Sequence, residues 1–160
     1  MSELAVRLKD VVAATDAYRQ TAARLLGLGV PEATILVHLL HEGPRTPSAL
    51  ARRVGVSPAS ATAQLDRLEL AGNVVRRGNP RDRRSILVDL TDRGRELGSR
   101  LFAAYSAEID DGTADVDPAT VAEMAVVLDH LTRRLEDKAA DEPALAAELE
   151  ELRGDRSTFP

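Results

Sequence analysis

The spacing of apolar residues predicts two helices at the start of the chain. Residues 2–26 carry leucine and valine at helical intervals, and a Gly-Leu-Gly segment at 27–29 follows them. Glycine adopts the left-handed conformation in which many helices end, so this segment should end the first helix. A second helix is expected to begin near Pro31, to bury paired apolar residues and to stop at Gly43.

Two shorter helices follow with almost no chain between them. Thr46-Pro47 and Ser57-Pro58 each place a capping side chain before a proline, which is a usual start of a helix. Gly55 lies in the short turn between them, where a positive φ is needed. This spacing is typical of a helix-turn-helix, although an ordinary helical hairpin shares it. The second helix should bury Ala61, Leu65 and Leu68.

A β-hairpin is predicted directly after the helix-turn-helix. Residues 73–77 are β-prone, residues 78–82 are rich in turn formers, and Ile86, Val88 and Leu90 alternate with other side chains. A hairpin in this position is a wing. We therefore expect a mainly α protein with a small β-hairpin wing, in which long helices flank a winged helix-turn-helix core.

Long helices are predicted after the wing, at residues 92–112 and 118–137. Apolar residues recur in the second of them at spacings of three and four: Val121, Met124, Leu128, Leu131 and Leu135. Such a seam can pack within one chain or against a second copy. Because a winged core is too small to cover three long amphipathic helices, we expect residues 2–26, 92–112 and 118–137 to form a homodimer interface.

Composition excludes several classes of protein. Aromatic residues make up 2% of the chain and cysteine is absent, which favours aliphatic helical packing and excludes disulfides and cysteine-based zinc fingers. No stretch is apolar enough to span a membrane and no signal peptide is recognisable, so a cytoplasmic protein without a membrane partner is expected. No catalytic motif is present, and we expect neither an enzyme nor a cofactor.

The net charge of −5 hides a segregation of charge along the chain. Residues 45–100 hold twelve Arg against six Asp or Glu, whereas the remainder holds nine Lys or Arg against twenty Asp or Glu. Five of the arginines fall between residues 76 and 84. A wing with this charge can lie along phosphates or insert a side chain into the minor groove, so double-stranded DNA is the expected partner.

The segment LARRVGVSPASATAQLDRLELAGNVVRRGNPRDRRSILVDLTDRG resembles the core of the MarR family of winged-helix transcriptional regulators. The residues that carry the resemblance are Asp66-Arg67-Leu68, Gly72, Asp82-x-Arg84 and Leu90-Thr91-x-x-Gly94. It covers about residues 30–100 and implies one domain over 1–140, with its winged core at about 31–91. It further implies a homodimer that binds a pseudopalindromic operator as a repressor and is released by a small aromatic or anionic effector.

DNA-binding residues are expected on the outer face of the second helix of the helix-turn-helix and on the wing: Ser57, Ser60, Thr62, Gln64, Arg67, Arg81, Arg83 and Arg84. Asp82 precedes Arg84 by two residues, so its carboxylate can hold the guanidinium bidentately and orient it. In the family pattern this arginine is directed at the minor groove. Ala63 and Gln64 depart from that pattern, which leaves open a winged helix used for protein docking or non-specific DNA binding.

Effector-binding residues are expected between the flanking helices and the core: Tyr18, His38, Phe102 and Tyr105. Each of them also suits ordinary interface packing. A metal-responsive regulator is an alternative, because His38 and His41 lie three residues apart beside Glu42 and His130 could join them.

Residues 141–160 form an acidic C-terminal extension beyond the usual end of the family. Leu145, Leu149 and Leu152 share one helical face there. The pattern fits either a frayed acidic tail or an extra helix that docks on the protein.

Overall fold

The computed structural model describes residues 2–154; Met1, residues 155–160 and the side chain of Leu152 lie outside this description. Seven helices and two strands follow one another: α1 (Glu3–Leu25), α2 (Val30–Glu42), α3 (Pro47–Arg53), α4 (Pro58–Leu70), β1 (Val74–Asn79), β2 (Asp82–Leu90), α5 (Asp92–Gly112), α6 (Pro118–Ala140) and α7 (Glu142–Gly154). The mainly helical winged fold predicted from the sequence is confirmed. Contacts divide the chain into two compact units, residues 1–108 and 109–160.

Within residues 2–154, no single helix is both long and apolar enough to cross a bilayer. The pair α1 and α2, bent by 98° at the break between them, meets the requirement by length and composition alone.

The helix-turn-helix forms where its capping residues predict it. Thr46 Oγ1 accepts a hydrogen bond from the Ala49 N–H at 3.3 Å to start α3, and Ser57 Oγ accepts one from the Ser60 N–H at 3.2 Å to start α4. Gly55 has a φ of +67° in the turn, a conformation that residues with a Cβ rarely adopt. The predicted inward face of α4 is confirmed, because these residues are buried: Ala61, Leu65 and Leu68.

The core of the first unit is centred on α2. Its largest fully buried side chains are Ile35, Leu36, Leu39, Leu50, Leu65, Leu68 and Val88. Three of them come from α2, and the others come from α3, α4 and β2. Each such side chain stabilises the fold by about 1.5–3 kcal/mol relative to an exposed one. The helix-turn-helix and the wing therefore share one core, which fixes their relative positions.

The wing is longer than its turn-forming residues indicate. Strands β1 and β2 pair antiparallel from Val74 and Leu90 outward to Asn79 and Asp82, so only Pro80 and Arg81 remain in the turn instead of the predicted residues 78–82. Asn79 Oδ1 accepts the Arg81 N–H at 3.0 Å, and short polar side chains that bond nearby backbone in this way allow a tight turn. A third short segment joins the sheet, since Arg45 exchanges backbone hydrogen bonds of 3.1 and 2.8 Å with Val88.

Helix α5 is fastened to the start of the wing by a threonine and a glycine. Thr91 Oγ1 donates to the carbonyl of Gly72 at 2.6 Å and accepts the Gly94 N–H at 3.1 Å, which caps α5. A Cβ placed on Gly94 would lie 1.8 Å from the carbonyl oxygen of Asn73. The helix can approach the chain this closely only because residue 94 has no side chain.

The second unit contains the end of α5 together with α6 and α7. Asp117 caps α6 by accepting the Ala119 N–H at 3.1 Å. Residues 142–154 of the predicted extension form a helix, α7, which an ion pair of 2.5 Å between Lys138 and Glu148 joins to α6. Over these residues the extension is helical.

Gly94→Ala should destabilise the protein, because the added methyl group meets backbone that is held by the sheet and by Thr91. We expect the free energy of unfolding to fall by about 1–3 kcal/mol, as at other overpacked sites, when measured by chemical denaturation. Gly112→Ala is the matched control on the same helix, since a Cβ there meets nothing within 4 Å. An equal loss in the two variants would contradict the close approach at Gly94.

Candidate functional site

The outer face of α4 carries short polar side chains. Ser57 and Thr62 are exposed and Ser60 is half-buried. Thr62 Oγ1 donates to the carbonyl of Pro58 at 2.9 Å, and Ser57 Oγ is used by the helix cap. An α-helix with such a face fits the major groove of DNA, but it offers few long donors to base edges.

Arg67, one of the residues expected to contact DNA, forms hydrogen bonds within the protein while its side chain stays 58% exposed. Its Nε donates to Glu32 Oε1 at 2.6 Å and its Nη2 donates to Gln64 Oε1 at 2.7 Å. Glu32 is only 6% exposed and also accepts the Gly29 N–H at 2.8 Å at the start of α2. The cluster ties the last turn of α4 to the start of α2. This contact could not be predicted from local sequence patterns, because Glu32 and Arg67 are 35 residues apart.

A second cluster ties α4 to the wing. The guanidinium of Arg76 on β1 donates to Asp66 Oδ1 at 2.6 Å and also contacts the carboxylate of Glu69. The hydrogen bond to Asp66 raises the pKa of Arg76, against a smaller opposing effect of burial, and Glu69 raises it further. The structure thus gives Arg76 a role inside the fold, as the link between β1 and α4.

The remaining wing arginines divide by their partners. Arg77 lies 3.5 Å from Asp89 across the hairpin. Arg81, Arg83 and Arg84 are exposed, and no carboxylate within residues 2–154 lies at ion-pair distance from their guanidinium groups. The tip of the wing therefore presents three positive charges to solvent.

Asp82 acts on Arg84 differently from the sequence-based expectation. Its Oδ1 accepts a hydrogen bond from the backbone N–H of Arg84 at 3.0 Å, and the bidentate hold on the guanidinium does not form. A carboxylate two residues before an N–H reaches that N–H readily in an Asx-type turn, and this contact wins over the longer reach to the guanidinium. Asp82 thus fixes the backbone from which Arg84 projects.

A crevice in the first unit brings together all four residues expected to bind an effector. It has a volume of about 250 Å³ and is lined by side chains of α1, α2 and α5, among them Tyr18, His38, Phe102 and Tyr105. The rings of Tyr18 and Tyr105 lie 5.9 Å apart between centroids and are tilted by 58°. Arg19, which sequence reasoning missed, also lines the crevice and donates to Thr34 Oγ1 at 2.6 Å. The crevice therefore has aromatic side chains and the guanidinium group of Arg19 among its lining.

The two neighbouring histidines of α2 have different partners. His38 Nδ1 lies 3.2 Å from Glu42 Oε1, whereas His41 Nδ1 lies 2.8 Å from the carbonyl of Val37 and its ring packs on Phe102. Burial lowers the pKa of His38 and so does Arg53, while Glu42 opposes them, so the net direction is down. Among the residues that the structure describes, no three His, Asp or Glu side chains are grouped so as to hold a metal ion.

Comparison with known sequences identifies the winged core. A sequence model of the MarR family matches residues 26–85, from the end of α1 into β2. The winged core of this chain is similar to that of the MarR family. The HTH-type transcriptional repressor Rv2887 of Mycobacterium tuberculosis is 40% identical over 83 residues, 51% of this chain and 59% of that protein. The uncharacterized HTH-type transcriptional regulator YcgE of Bacillus subtilis is 39% identical over 71 residues, 44% of this chain and 46% of that protein. The chain thus spans about half the length of the curated relatives it matches.

Solved MarR-family structures share the fold over most of the chain. The crystal structure of Rv2887 in complex with p-aminosalicylic acid is 29% identical, with a TM-score of 0.61, and the match covers 82% of this chain and 99% of that one. Apo MarR from E. coli is 23% identical with a TM-score of 0.63 and covers 82% of this chain and 98% of that one. The relatives are named as transcriptional regulators, not as enzymes.

Arg67→Ala should destabilise the fold, because the Glu32 carboxylate would lose its guanidinium partner where water has little access. Since the Arg67 side chain is itself 58% exposed, we expect a loss of about 1–2 kcal/mol in the free energy of unfolding, less than for a fully buried pair. Arg83→Ala removes an exposed arginine without an ion pair and should change stability by less than about 0.5 kcal/mol. Denaturant titration of the two variants would refute the anchoring role if their losses were equal.

Proposed function

We propose that the protein is a dimeric, sequence-specific DNA-binding transcriptional regulator of the cytoplasm that acts as a repressor and is released from DNA by a small aromatic anion. The observation that carries the proposal is the set of three guanidinium groups at the tip of the wing, those of Arg81, Arg83 and Arg84, which have no ion pair within residues 2–154 and follow a helix-turn-helix directly in the chain. In a chain of net charge −5, such a concentration of positive charge on one face favours a polyanionic partner.

The length and charge of each side chain on the proposed DNA-binding surface indicate whether it contacts bases or phosphates. Ser60 and Thr62 are short and reach bases only where α4 enters the major groove closely. Arg84 projects from a backbone fixed by Asp82 and is suited to the minor groove, where narrow A·T-rich steps carry the most negative potential. Arg81 and Arg83 are suited to phosphates, which supply affinity without sequence preference.

The dimer is supported by apolar surface that one chain leaves exposed. Helix α6 has no buried residue, and its predicted seam includes Met124, Leu128 and Leu135, which are 49%, 49% and 69% exposed. On α1, Val11 and Val12 are 57% and 59% exposed. Contiguous apolar surface of this kind on helices usually marks an interface. We propose that residues 2–26, 92–112 and 118–137 bury it against a second copy.

The effector class is proposed from the chemistry of the crevice. Two tyrosine rings and Phe102 provide aromatic walls, while Arg19 and His38 provide groups that can bind a carboxylate. A volume of about 250 Å³ admits only a small molecule. Rv2887 has been crystallised with p-aminosalicylic acid, a compound of this kind, which makes it a suitable probe.

Selection of bound sequences from a random pool of double-stranded DNA tests the proposed function. We expect an inverted repeat with half-site centres about 10 bp apart, because two recognition helices of a dimer meet successive major grooves on one face of the duplex. Tight binding without enrichment would support non-specific DNA binding instead. Absence of DNA binding would leave protein docking as the use of the winged helix.

Arg84→Ala and Arg81→Ala should weaken DNA binding in different ways. Loss of Arg84 should cost about 1–3 kcal/mol and flatten the base preference at the edges of the site, whereas loss of Arg81 should weaken all sequences alike and reduce the salt slope by about one. The slope for the unaltered protein is expected to be on the order of −6. Fluorescence anisotropy on specific and scrambled duplexes measures both quantities. Arg153→Ala, at an exposed position of α7 outside the proposed dimer interface, is the control and should leave both quantities unchanged. A slope near zero in the unaltered protein would contradict phosphate binding by the wing.

Arg19→Ala should weaken the binding of p-aminosalicylate, because the guanidinium is the crevice group with a permanent positive charge. We expect a loss of affinity of about tenfold or more, as for a hydrogen bond to a charged group, measured by titration calorimetry. Arg153→Ala removes a positive charge outside both the crevice and the proposed dimer interface and should bind the probe like the unaltered protein. Equal affinities in the Arg19 and Arg153 variants would place the ligand elsewhere.

A further inference from the structure

Glu42, the last residue of α2, joins three parts of the DNA-binding unit through one carboxylate. Its Oε1 lies 3.2 Å from His38 Nδ1 and 3.3 Å from Arg53 Nε, and its Oε2 lies 3.3 Å from Arg45 Nε. Its side chain is 30% exposed. Three donors therefore converge on two oxygens of a partly buried group, and two of them share the same oxygen.

Each donor belongs to a different functional element. His38 lines the crevice. Arg45 lies in the short segment between α2 and α3, and it pairs with Val88 of β2 and so extends the sheet of the wing. Arg53 ends α3, immediately before the turn that leads into α4. A change at His38 therefore reaches both the wing and the helix-turn-helix through a single intermediate residue.

Of the groups around Glu42, His38 is the one whose charge can change near neutral pH. Burial raises the pKa of Glu42, but Arg53, His38 and Arg45 outweigh burial and hold it below its usual value, so the carboxylate stays ionised at neutral pH. Three charged groups act on His38, namely Arg53 from α3, Glu42 from α2 and Arg19 from α1, and with burial they leave its pKa lowered. His38 is accordingly neutral at neutral pH, and an anion in the crevice or a fall in pH would favour its charged form.

A charged His38 would disturb the junction in two ways. It would compete with Arg53 for Glu42 Oε1, and it would repel the Arg53 guanidinium. Since the folded-state pKa of His38 lies below its ordinary value of 6.5, the unfolded chain takes up the proton first. The stability associated with neutral His38 is therefore complete above about pH 6.5 and is lost as the pH falls towards the lowered folded value.

We propose that Glu42 is the positioning residue through which the charge of the crevice is transmitted to α3 and to the Arg45 segment of the wing. The proposal deepens the proposed function, on which it rests for the identity of the crevice as the effector site. The junction itself is present in the free protein, so it can be tested without DNA and without an effector.

Hydrogen exchange of the free protein, followed above and below pH 6.5, provides the first test. After correction for intrinsic rates, exchange at the Arg45 and Val88 amides should rise about fivefold or more as the pH falls from 6.5 through the lowered pKa of His38, within the usual range of coupling between sites. His38→Gln should abolish this pH response, and Glu42→Gln should make exchange fast and independent of pH. His41→Gln, which replaces a neighbouring histidine of the same helix, should retain the response. A response that persists in the His38 or Glu42 variant would overturn the proposal.

DNA binding with p-aminosalicylate provides the second test. The ratio of DNA affinities without and with the probe should fall towards one in Glu42→Gln, although calorimetry should still detect probe binding to that variant. If the unaltered protein binds no DNA, the proposed function fails while the exchange experiment still decides the role of Glu42. If Glu42→Gln does not fold, the comparison of His38→Gln with His41→Gln decides it.

Discussion

The contact between Gly94 and the backbone of Asn73 determines where the long helix α5 lies. A side chain at residue 94 would occupy the position of the Asn73 carbonyl, so the approach of α5 depends on this glycine and on the hydrogen bonds of Thr91. Once α5 is placed, Leu101 is buried in the core and Phe102 and Tyr105 face the crevice. The motif that carries the family resemblance is thus also the constraint that forms the crevice.

Two clusters of opposite charges hold the recognition helix in a similar way. Arg67 with Glu32 fixes α4 to α2, and Arg76 with Asp66 and Glu69 fixes it to the wing. Breaking such a pair leaves a carboxylate without its partner, which costs more than the intact pair contributes. These arginines therefore serve the geometry of the surface. On the proposed function, the exposed wing arginines Arg81, Arg83 and Arg84, which have no ion pair within residues 2–154, remain for the DNA.

The local parts of this arrangement could be predicted from the sequence. Thr46 and Ser57 with their prolines located both helices of the helix-turn-helix, Gly55 located its turn, and the buried face of α4 followed from helical periodicity. The four aromatic and histidine residues of the crevice were also anticipated. Contacts between distant residues were not, because neither the Glu32–Arg67 pair nor the position of Glu42 leaves a periodic pattern. The strands of the wing were predicted too short, because Asn79 and Asp82 are residue types typical of loops. In the structure Asn79 is the last residue of β1 and Asp82 the first residue of β2.

A recognition helix with short side chains changes where sequence discrimination can arise. Ser60 and Thr62 offer single hydrogen bonds, in contrast to the bidentate contacts that a long side chain makes with one base pair. On the proposed function, discrimination then depends more on the spacing of two half-sites and on the minor-groove contact of Arg84, both of which are set by the rigid placement of wing and helix. Such a protein is sensitive to small displacements of the wing. A crevice connected to the wing through one carboxylate could therefore release DNA without any disruption of the buried core, because a change of spacing at the two half-sites would suffice.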